Sequence, residues 1–73
     1  IKPLEFETVN SVGILKVHSF ANSTIKDNGQ KFKKYIKATF KQIKSNEIKN
    51  LIIDLRYNTG GRDGNAAYLA SYF

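Results

Sequence analysis

The chain has 73 residues, no cysteine and a formal net charge of +6, with 12 basic against 6 acidic residues. This length allows at most one domain, and a domain this small buries only about 60% of the surface of its unfolded chain. The lack of cysteine excludes a disulfide framework, and a single histidine cannot form a zinc cluster by itself. No window reaches the roughly twenty apolar residues of a membrane span. We therefore expect no metal, no cofactor and no membrane span.

Both ends of the sequence suggest a piece of a longer protein. It starts with Ile1-Lys2-Pro3 and contains no methionine. At the other end an apolar helical face stops without a cap; it comprises Tyr68, Leu69, Tyr72 and Phe73. We expect residues 1–73 to be a fragment of one catalytic domain, with a leading strand and turn at 1–11 and a core at 12–73. The unfinished apolar face then needs a partner.

The first part of the chain predicts a β-hairpin. Apolar and polar residues alternate over 4–9, which is a weak strand signal. Asn10-Ser11 suits a turn, and a stronger strand follows over 12–20. One face of this second strand is less apolar because it carries Lys16 and His18. We therefore expect the second strand to lie near an edge of the sheet.

Next come a predicted loop and a predicted helix. Residues 21–29 are rich in Asn, Ser, Thr, Asp and Gly, which favours a loop. Over Gln30–Lys44 apolar residues recur at spacings of three and four, which predicts an amphipathic helix; they are Phe32, Tyr35, Ile36, Thr39, Phe40 and Ile43. The order strand, helix, strand, helix predicts a right-handed crossover between parallel central strands, with this helix covering one face of the sheet.

The rest of the predicted helix is basic. It carries no acidic residue and six lysines: Lys31, Lys33, Lys34, Lys37, Lys41 and Lys44. Clustered lysines can bind nucleic-acid phosphates, and a basic amphipathic helix can lie on anionic lipid. We favour a solvated helix face instead, because this helix has no arginine and no exposed aromatic residue interleaved with the lysines. We therefore expect no nucleic-acid partner.

The most informative stretch is Leu51–Leu55 with the turn that follows it. Four large aliphatic residues in five positions predict a central parallel strand buried on both faces. Ligands of open α/β sheets bind at the carboxyl ends of strands, where Gly60 and Gly61 follow here. Adjacent glycines let backbone N–H groups point into a shared concavity ahead of a helix that begins near Asp63 or Gly64, with Asp63 as its N-cap. Such N–H groups can hold a developing oxyanion; the alternative is a plain strand-to-helix connection.

Three polar residues near this turn are expected to support it. Asp54 and Arg56 lie two positions apart and predict an ion pair, because buried carboxylates usually persist by pairing. Asn58 is suited to bracing the turn through its amide. We interpret His18 as a structural or surface residue, and we assign no serine as a nucleophile.

The strand and turn resemble the signature of the carboxyl-terminal processing proteases, also called tail-specific proteases, which include the tricorn core. The matching run is Leu-Ile-Ile-Asp-Leu-Arg-x-Asn-x-Gly-Gly at 51–61, followed by Leu-Ala-x-x-Phe at 69–73. Upstream, 13–20 is similar to the strand that opens the catalytic core of that family. The resemblance covers about positions 12–73. Thr59 is a modest departure, since the family often has Pro or Gly there.

This resemblance implies an α/β fold, namely part of a crotonase-like core shared with the caseinolytic proteases, with a β-hairpin followed by β-α-β-α. It implies peptide-bond hydrolysis by a serine that a lysine activates. Both would lie downstream of Phe73, so the fragment alone is expected to be inactive. Gly60 and Gly61 are the implied oxyanion-hole candidates, and the choice between them stays open. The family resemblance also suggests a periplasmic, extracellular or cell-envelope location.

The expected partners are a peptide or protein substrate of the parent, the remainder of the catalytic domain, and a second copy in a homo-oligomer or domain swap. A different class of function stays open as the alternative. The same scaffold could serve as a non-catalytic module that binds a peptide or a second copy through its sheet edge or its apolar helix. A serine in a strand-to-helix turn after Phe73, followed by a lysine, would favour the peptidase.

Overall fold

The structure, a computed structural model, describes residues 2–56, 58, 60–61 and 63–73. It contains three strands and three helices. In chain order they are β1 (Leu4–Val9), β2 (Val12–Val17), α1 (Asn22–Asp27), α2 (Phe32–Ser45), β3 (Asn50–Asp54) and α3 (Asp63–Ala70). The chain is therefore a small α/β unit, as the sequence predicts.

The three strands form one mixed sheet in the order β1-β2-β3. β1 and β2 pair antiparallel through a two-residue turn, in which Asn10 and Ser11 have φ of 50° and 67°. Positive φ at both central residues is the geometry of a type I′ hairpin turn. β2 and β3 pair in parallel, with Leu15 opposite Ile53. Both the predicted hairpin and the predicted parallel pair are thus confirmed.

The places of β2 and β3 in the sheet differ from the prediction. β2 lies in the centre, and β3 lies at an edge of the sheet that the structure describes. All three helices contribute to a single core on one sheet face, and no described helix covers the opposite face. Ile52 is consequently 51% exposed, and the prediction that β3 is buried on both faces is wrong for this chain. A run of aliphatic residues indicates that a strand can be buried on both faces, but burial also requires other elements to pack there.

The core lies between the sheet and the helices. It consists of Leu4, Leu15, Val17, Ile25, Phe32, Ile36 and Leu69. In α2 the buried residues are Phe32, Ile36 and Thr39, and the other apolar positions of the predicted stripe are half-buried. The amphipathic helix is therefore confirmed, although it begins two residues later and ends one residue later than predicted.

The two shorter helices differ in detail from the sequence prediction. Residues 21–29, predicted as a loop, contain α1, which Ile25 anchors in the core at 1% exposure. This helix has six residues, of which one is buried, so its sequence is mostly polar and resembles that of a loop. In α3, Asp63 is the first helical residue rather than the N-cap, and the helix ends at Ala70 instead of continuing to Phe73. No described helix is long and apolar enough to cross a membrane.

Side chains bond some of the backbone N–H and carbonyl groups on the outer edge of β1. The Nε2 of Gln30 donates to the carbonyl oxygen of Leu4 at 2.8 Å, and its Oε1 accepts the Leu4 N–H at 3.1 Å. Two residues along, the Tyr35 hydroxyl lies against the backbone of Phe6; burial raises the pKa of Tyr35, and a hydrogen bond from the Phe6 backbone opposes that rise. Exposed backbone groups on an outer strand invite pairing with other chains, so these contacts protect β1.

Candidate functional site: the glycine turn

The glycine turn, residues 55–61, connects the carboxyl end of β3 to the region where α3 begins. It lies beside the end of β2, because Phe20 forms a parallel bridge with Gly61 and the Phe20 N–H donates to the Gly60 carbonyl at 2.8 Å. Parallel pairing thus continues past the end of both strands. The turn occupies the carboxyl-end position that the sequence predicts for it. Thr59, the departure from the family pattern, lies outside the described residues.

Both glycines adopt backbone conformations that other residues rarely take, with φ of 85° at Gly60 and 129° at Gly61. A Cβ on Gly61 would lie 2.6 Å from the carbonyl carbon of Phe20 and would also collide with the amide nitrogen of Ala21. A Cβ on Gly60 would meet no atom of a described residue within 4 Å. Gly61 is therefore required by conformation and by space, whereas Gly60 is required by conformation alone.

Asn58 fixes the turn with both ends of its side-chain amide. Its Nδ2 donates to the carbonyl oxygen of Val17 at 2.7 Å, and its Oδ1 accepts the N–H of Gly60 at 2.6 Å. An amide offers a donor and an acceptor on one rigid group, which neither a hydroxyl nor a carboxylate reproduces at this spacing. Asn58 therefore links the turn to β2, and it occupies the Gly60 N–H.

The Gly61 N–H differs from the Gly60 N–H in its hydrogen bonding. Within the described part of the chain it donates no hydrogen bond. Gly61 is exposed, so this N–H can bond to water or to a ligand. The two candidate amides are thus distinct: Asn58 occupies the Gly60 N–H, whereas no described residue occupies the Gly61 N–H.

Asp54 and Arg56 form an ion pair at the start of the turn. Nη2 and Nε of Arg56 lie 2.8 Å from Oδ2 and 3.0 Å from Oδ1 of Asp54, and the Arg56 backbone N–H also donates to Oδ1. These hydrogen bonds, the side-chain ones above all, hold the pKa of Asp54 at about 2, below its usual 3.8. A carboxyl group with so low a pKa is poorly matched to acid or base catalysis near neutral pH.

Asn65 is a residue of this site that the sequence analysis did not single out. It lies in α3 at 4% exposure, and its Nδ2 donates to the Phe20 carbonyl at 2.8 Å and to Oδ1 of Asn22 at 2.7 Å. Asn65 therefore ties α3 and the start of α1 to the residue whose N–H binds Gly60. The sequence offers one weak signal, a polar residue in an otherwise apolar helical stretch, since buried polar groups need partners.

Two side chains of types that often act in catalysis, His18 and Ser19, make contacts of an ordinary structural kind. His18 Nε2 is 3.5 Å from Glu5 Oε1, and the buried Ser19 accepts the Ala21 N–H at its Oγ at 3.0 Å. Among the described residues no three His, Asp or Glu side chains gather closely enough to hold a metal ion. What the described site offers is an available backbone donor on a braced turn, and no described serine is hydrogen-bonded to a histidine or a lysine.

The chain matches a known protein family. A family model described as Peptidase family S41 matches residues 11–73. The matched range contains β2, the crossover helices, β3, the glycine turn and α3, and it leaves out β1. No curated protein and no solved structure matches the chain.

Proposed function

Because the chain belongs to peptidase family S41, we propose that it supplies the oxyanion-binding turn of a serine endopeptidase of the carboxyl-terminal processing type. The scaffold would be part of a crotonase-like core. The supporting observation is the available Gly61 N–H beside a Gly60 N–H that Asn58 already occupies. Of the two candidate amides, the proposal therefore assigns the oxyanion to Gly61.

The proposed role follows from where charge develops during peptide-bond hydrolysis. Attack on the scissile carbonyl puts negative charge on its oxygen, and an N–H already fixed toward that oxygen stabilises the charge without reorganisation. The proposal is supported by Asn58 and Phe20, which hold the turn against β2 in the absence of substrate. One such donor typically contributes about 3 kcal/mol to transition-state stabilisation. The nucleophile and base, a serine and a lysine by family resemblance, would come from outside residues 1–73.

The sharpest test deletes the Gly61 N–H and adds no atom beyond the ester oxygen that replaces it. Semisynthesis of the complete peptidase with glycolic acid in place of Gly61 makes this change and leaves the carbonyl in position. We expect kcat to fall about 10²–10³-fold with KM little changed, because the lost interaction forms only in the transition state.

The same replacement at Gly60 is the matched control. It removes the bond to Asn58 but no proposed oxyanion donor, so kcat should fall by a clearly smaller factor. Circular dichroism of both semisynthetic proteins checks that they are folded. An equal loss at the two positions, or full activity without the Gly61 N–H, would contradict the assignment.

The 73-residue chain alone is expected to be inactive, because the proposed nucleophile and base are not part of it. Incubation of the purified chain with fluorescently labelled casein, an unstructured substrate, should release no label above the buffer background. Release that follows the chain through successive purification steps and scales with its concentration would show that these residues contain a complete catalytic site.

Self-association as a non-catalytic module is a second candidate function. It is favoured by the apolar residues exposed on and after β3, with Ile52 at 51% and Leu55 at 48% exposure. An outer strand with free backbone groups can pair with a second copy. Light scattering at high concentration should then give a dimer mass, and Ile52→Lys should restore the monomer. A monomeric wild-type chain would count against this function.

A further inference from the structure

A lysine-rimmed groove lies beside the carboxyl-terminal half of α2. It has a volume of about 770 Å³ and is bounded by α2, by the segment that leads into β3, and by Tyr72 after α3. Its floor is apolar and consists of Phe40, Ile43, Ile48 and Tyr72. None of these residues belongs to the glycine turn, so the groove is separate from the candidate site above.

Aromatic contacts hold the floor of the lysine-rimmed groove in shape. The rings of Phe40 and Tyr72 stack with centroids 4.3 Å apart and an interplanar angle of 14°. The hydroxyls of Tyr72 and Tyr68 lie 3.1 Å apart, and Lys33 lies over the Tyr68 ring at 5.4 Å. On α2 itself the aromatic residues Tyr35 and Phe40 are half-buried, as the sequence predicts. The aromatic contacts of the lysines come instead from α3 and the turn after it, which bring Tyr68 and Tyr72 against α2.

The rim carries a strong positive charge. Lys37, Lys41, Lys44 and Lys49 line the groove with Glu47 as the sole acidic residue of the lining, a net charge of +3. All four lysines are exposed, and none forms an ion pair with a described carboxylate. The first three follow one another at spacings of four and three along α2, so their ammonium groups lie along one side of the helix. The rim thus offers unpaired cations above an apolar floor.

We propose that the lysine-rimmed groove binds an acidic peptide segment that carries bulky apolar side chains. The apolar side chains would bury the floor between Phe40 and Ile48, and the carboxylates would pair with the lysines on the rim. Charge complementarity of this kind selects the partner and speeds association, while burial of the apolar anchors supplies affinity. A concave apolar surface beside a helix is a usual docking place for such a segment.

Other occupants fit the groove less well. A second copy placed symmetrically on it would bring lysines against lysines on a chain of net charge +6. A nucleic acid would pair with the lysines but has no side chain to bury on the floor, where the Phe40 ring is already stacked on Tyr72. Binding to an anionic bilayer is an outcome that the test below separates from peptide binding.

The test measures binding of a fluorescein-labelled synthetic peptide of about a dozen residues, with leucines at helical spacing and glutamates between them, by fluorescence anisotropy. Lys37→Glu/Lys41→Glu should weaken binding at least about 10-fold, because two rim cations become anions. The matched control is Lys26→Glu/Lys34→Glu, which changes the net charge equally but alters lysines outside the groove. It should weaken binding less than about 2-fold, through long-range charge alone.

Further measurements distinguish the floor from the rim. A peptide with serine in place of each leucine should bind at least about 10-fold more weakly, and backbone NMR shifts on binding should cluster at Ile43 and Ile48. Circular dichroism of both double variants establishes that they are folded. Equal weakening by the two double variants, equal binding of the serine peptide, or tighter lysine-dependent binding to duplex RNA or to phosphatidylserine vesicles would each overturn the proposal.

Discussion

Asn58 and Val17 lie 41 positions apart in the sequence, yet the Asn58 side-chain amide donates to the Val17 carbonyl at 2.7 Å. This bond joins the turn after β3 to the carboxyl end of β2. The same amide accepts the Gly60 N–H. The position of the glycine turn relative to the sheet therefore depends strongly on one side chain.

Asn58→Ala should lower the free energy of unfolding by about 1–3 kcal/mol, because the buried Val17 residue loses the donor to its carbonyl. Urea unfolding followed by circular dichroism measures the change. Asn46→Ala is the matched control, since the exposed Asn46 side chain bonds to no described residue; it should change stability by less than about 0.5 kcal/mol. Equal losses in the two variants would show that Asn58 is not a brace.

The two glycines should respond differently to the same substitution. Gly60→Ala adds a methyl group into open space and should cost about 1–2 kcal/mol from its positive φ alone. Gly61→Ala adds a collision with the Phe20 backbone and should cost at least about 1–3 kcal/mol more. Thermal and urea unfolding of the pair test this order. A Gly61→Ala protein as stable as Gly60→Ala would mean that Phe20 and Gly61 are not in close contact.

Asn65→Ala should destabilise the chain by about 1–3 kcal/mol, because Phe20 and Asn22 lose the donor that the buried Asn65 supplies in two part-buried hydrogen bonds. Asn28→Ala serves as the control, since its side chain makes an exposed bond within the α1 region to the carbonyl of Thr24. That change should cost much less, because water replaces the lost partner. Chemical denaturation of both variants decides whether the buried bond matters more than the exposed one.

Arg56→Gln should raise the pKa of Asp54 from about 2 toward its usual 3.8, because the guanidinium no longer bonds the carboxylate. Carbon-detected NMR titration of the Asp54 carboxyl group measures the shift directly. Since the folded pKa lies below the unfolded one, the pair contributes fully above about pH 4, and its contribution is lost as the pH falls toward 2. Asp54→Asn should remove the contribution of this pair to the pH dependence of the free energy of unfolding. An unchanged Asp54 pKa in Arg56→Gln would rule out the pair as its cause.

The parts of the fold that local pattern encodes could be predicted from the sequence. The stripe of α2 repeats over four turns, so Ile36 and its neighbours mark the buried side without reference to the rest of the chain. The hairpin likewise follows from alternation and the turn at Asn10 and Ser11. In contrast, α1 has one anchor, Ile25, which is too little for a periodic signal.

The finer features of the candidate site depend on long-range contacts and could not be predicted. The chemistry of the Asn58 amide indicates bracing, but its partner Val17 follows from the register of β2 against β3. Which glycine N–H stays available is decided by the reach of Asn58 Oδ1 to Gly60. Likewise, the basic helix acquires its aromatic neighbours through tertiary packing alone, because Tyr72 is distant from Phe40 in the sequence.

The bidentate contact of Gln30 with Leu4 has a consequence for lateral growth of the sheet. Its carboxamide occupies the positions that the main chain of a neighbouring strand would take, and Tyr35 stands over the next such position. This rim of the sheet is thereby partly covered by side chains, whereas the far side of β3 has no such cover from the described residues. We therefore expect an additional strand to pair more readily with β3, the side on which the glycine turn also lies.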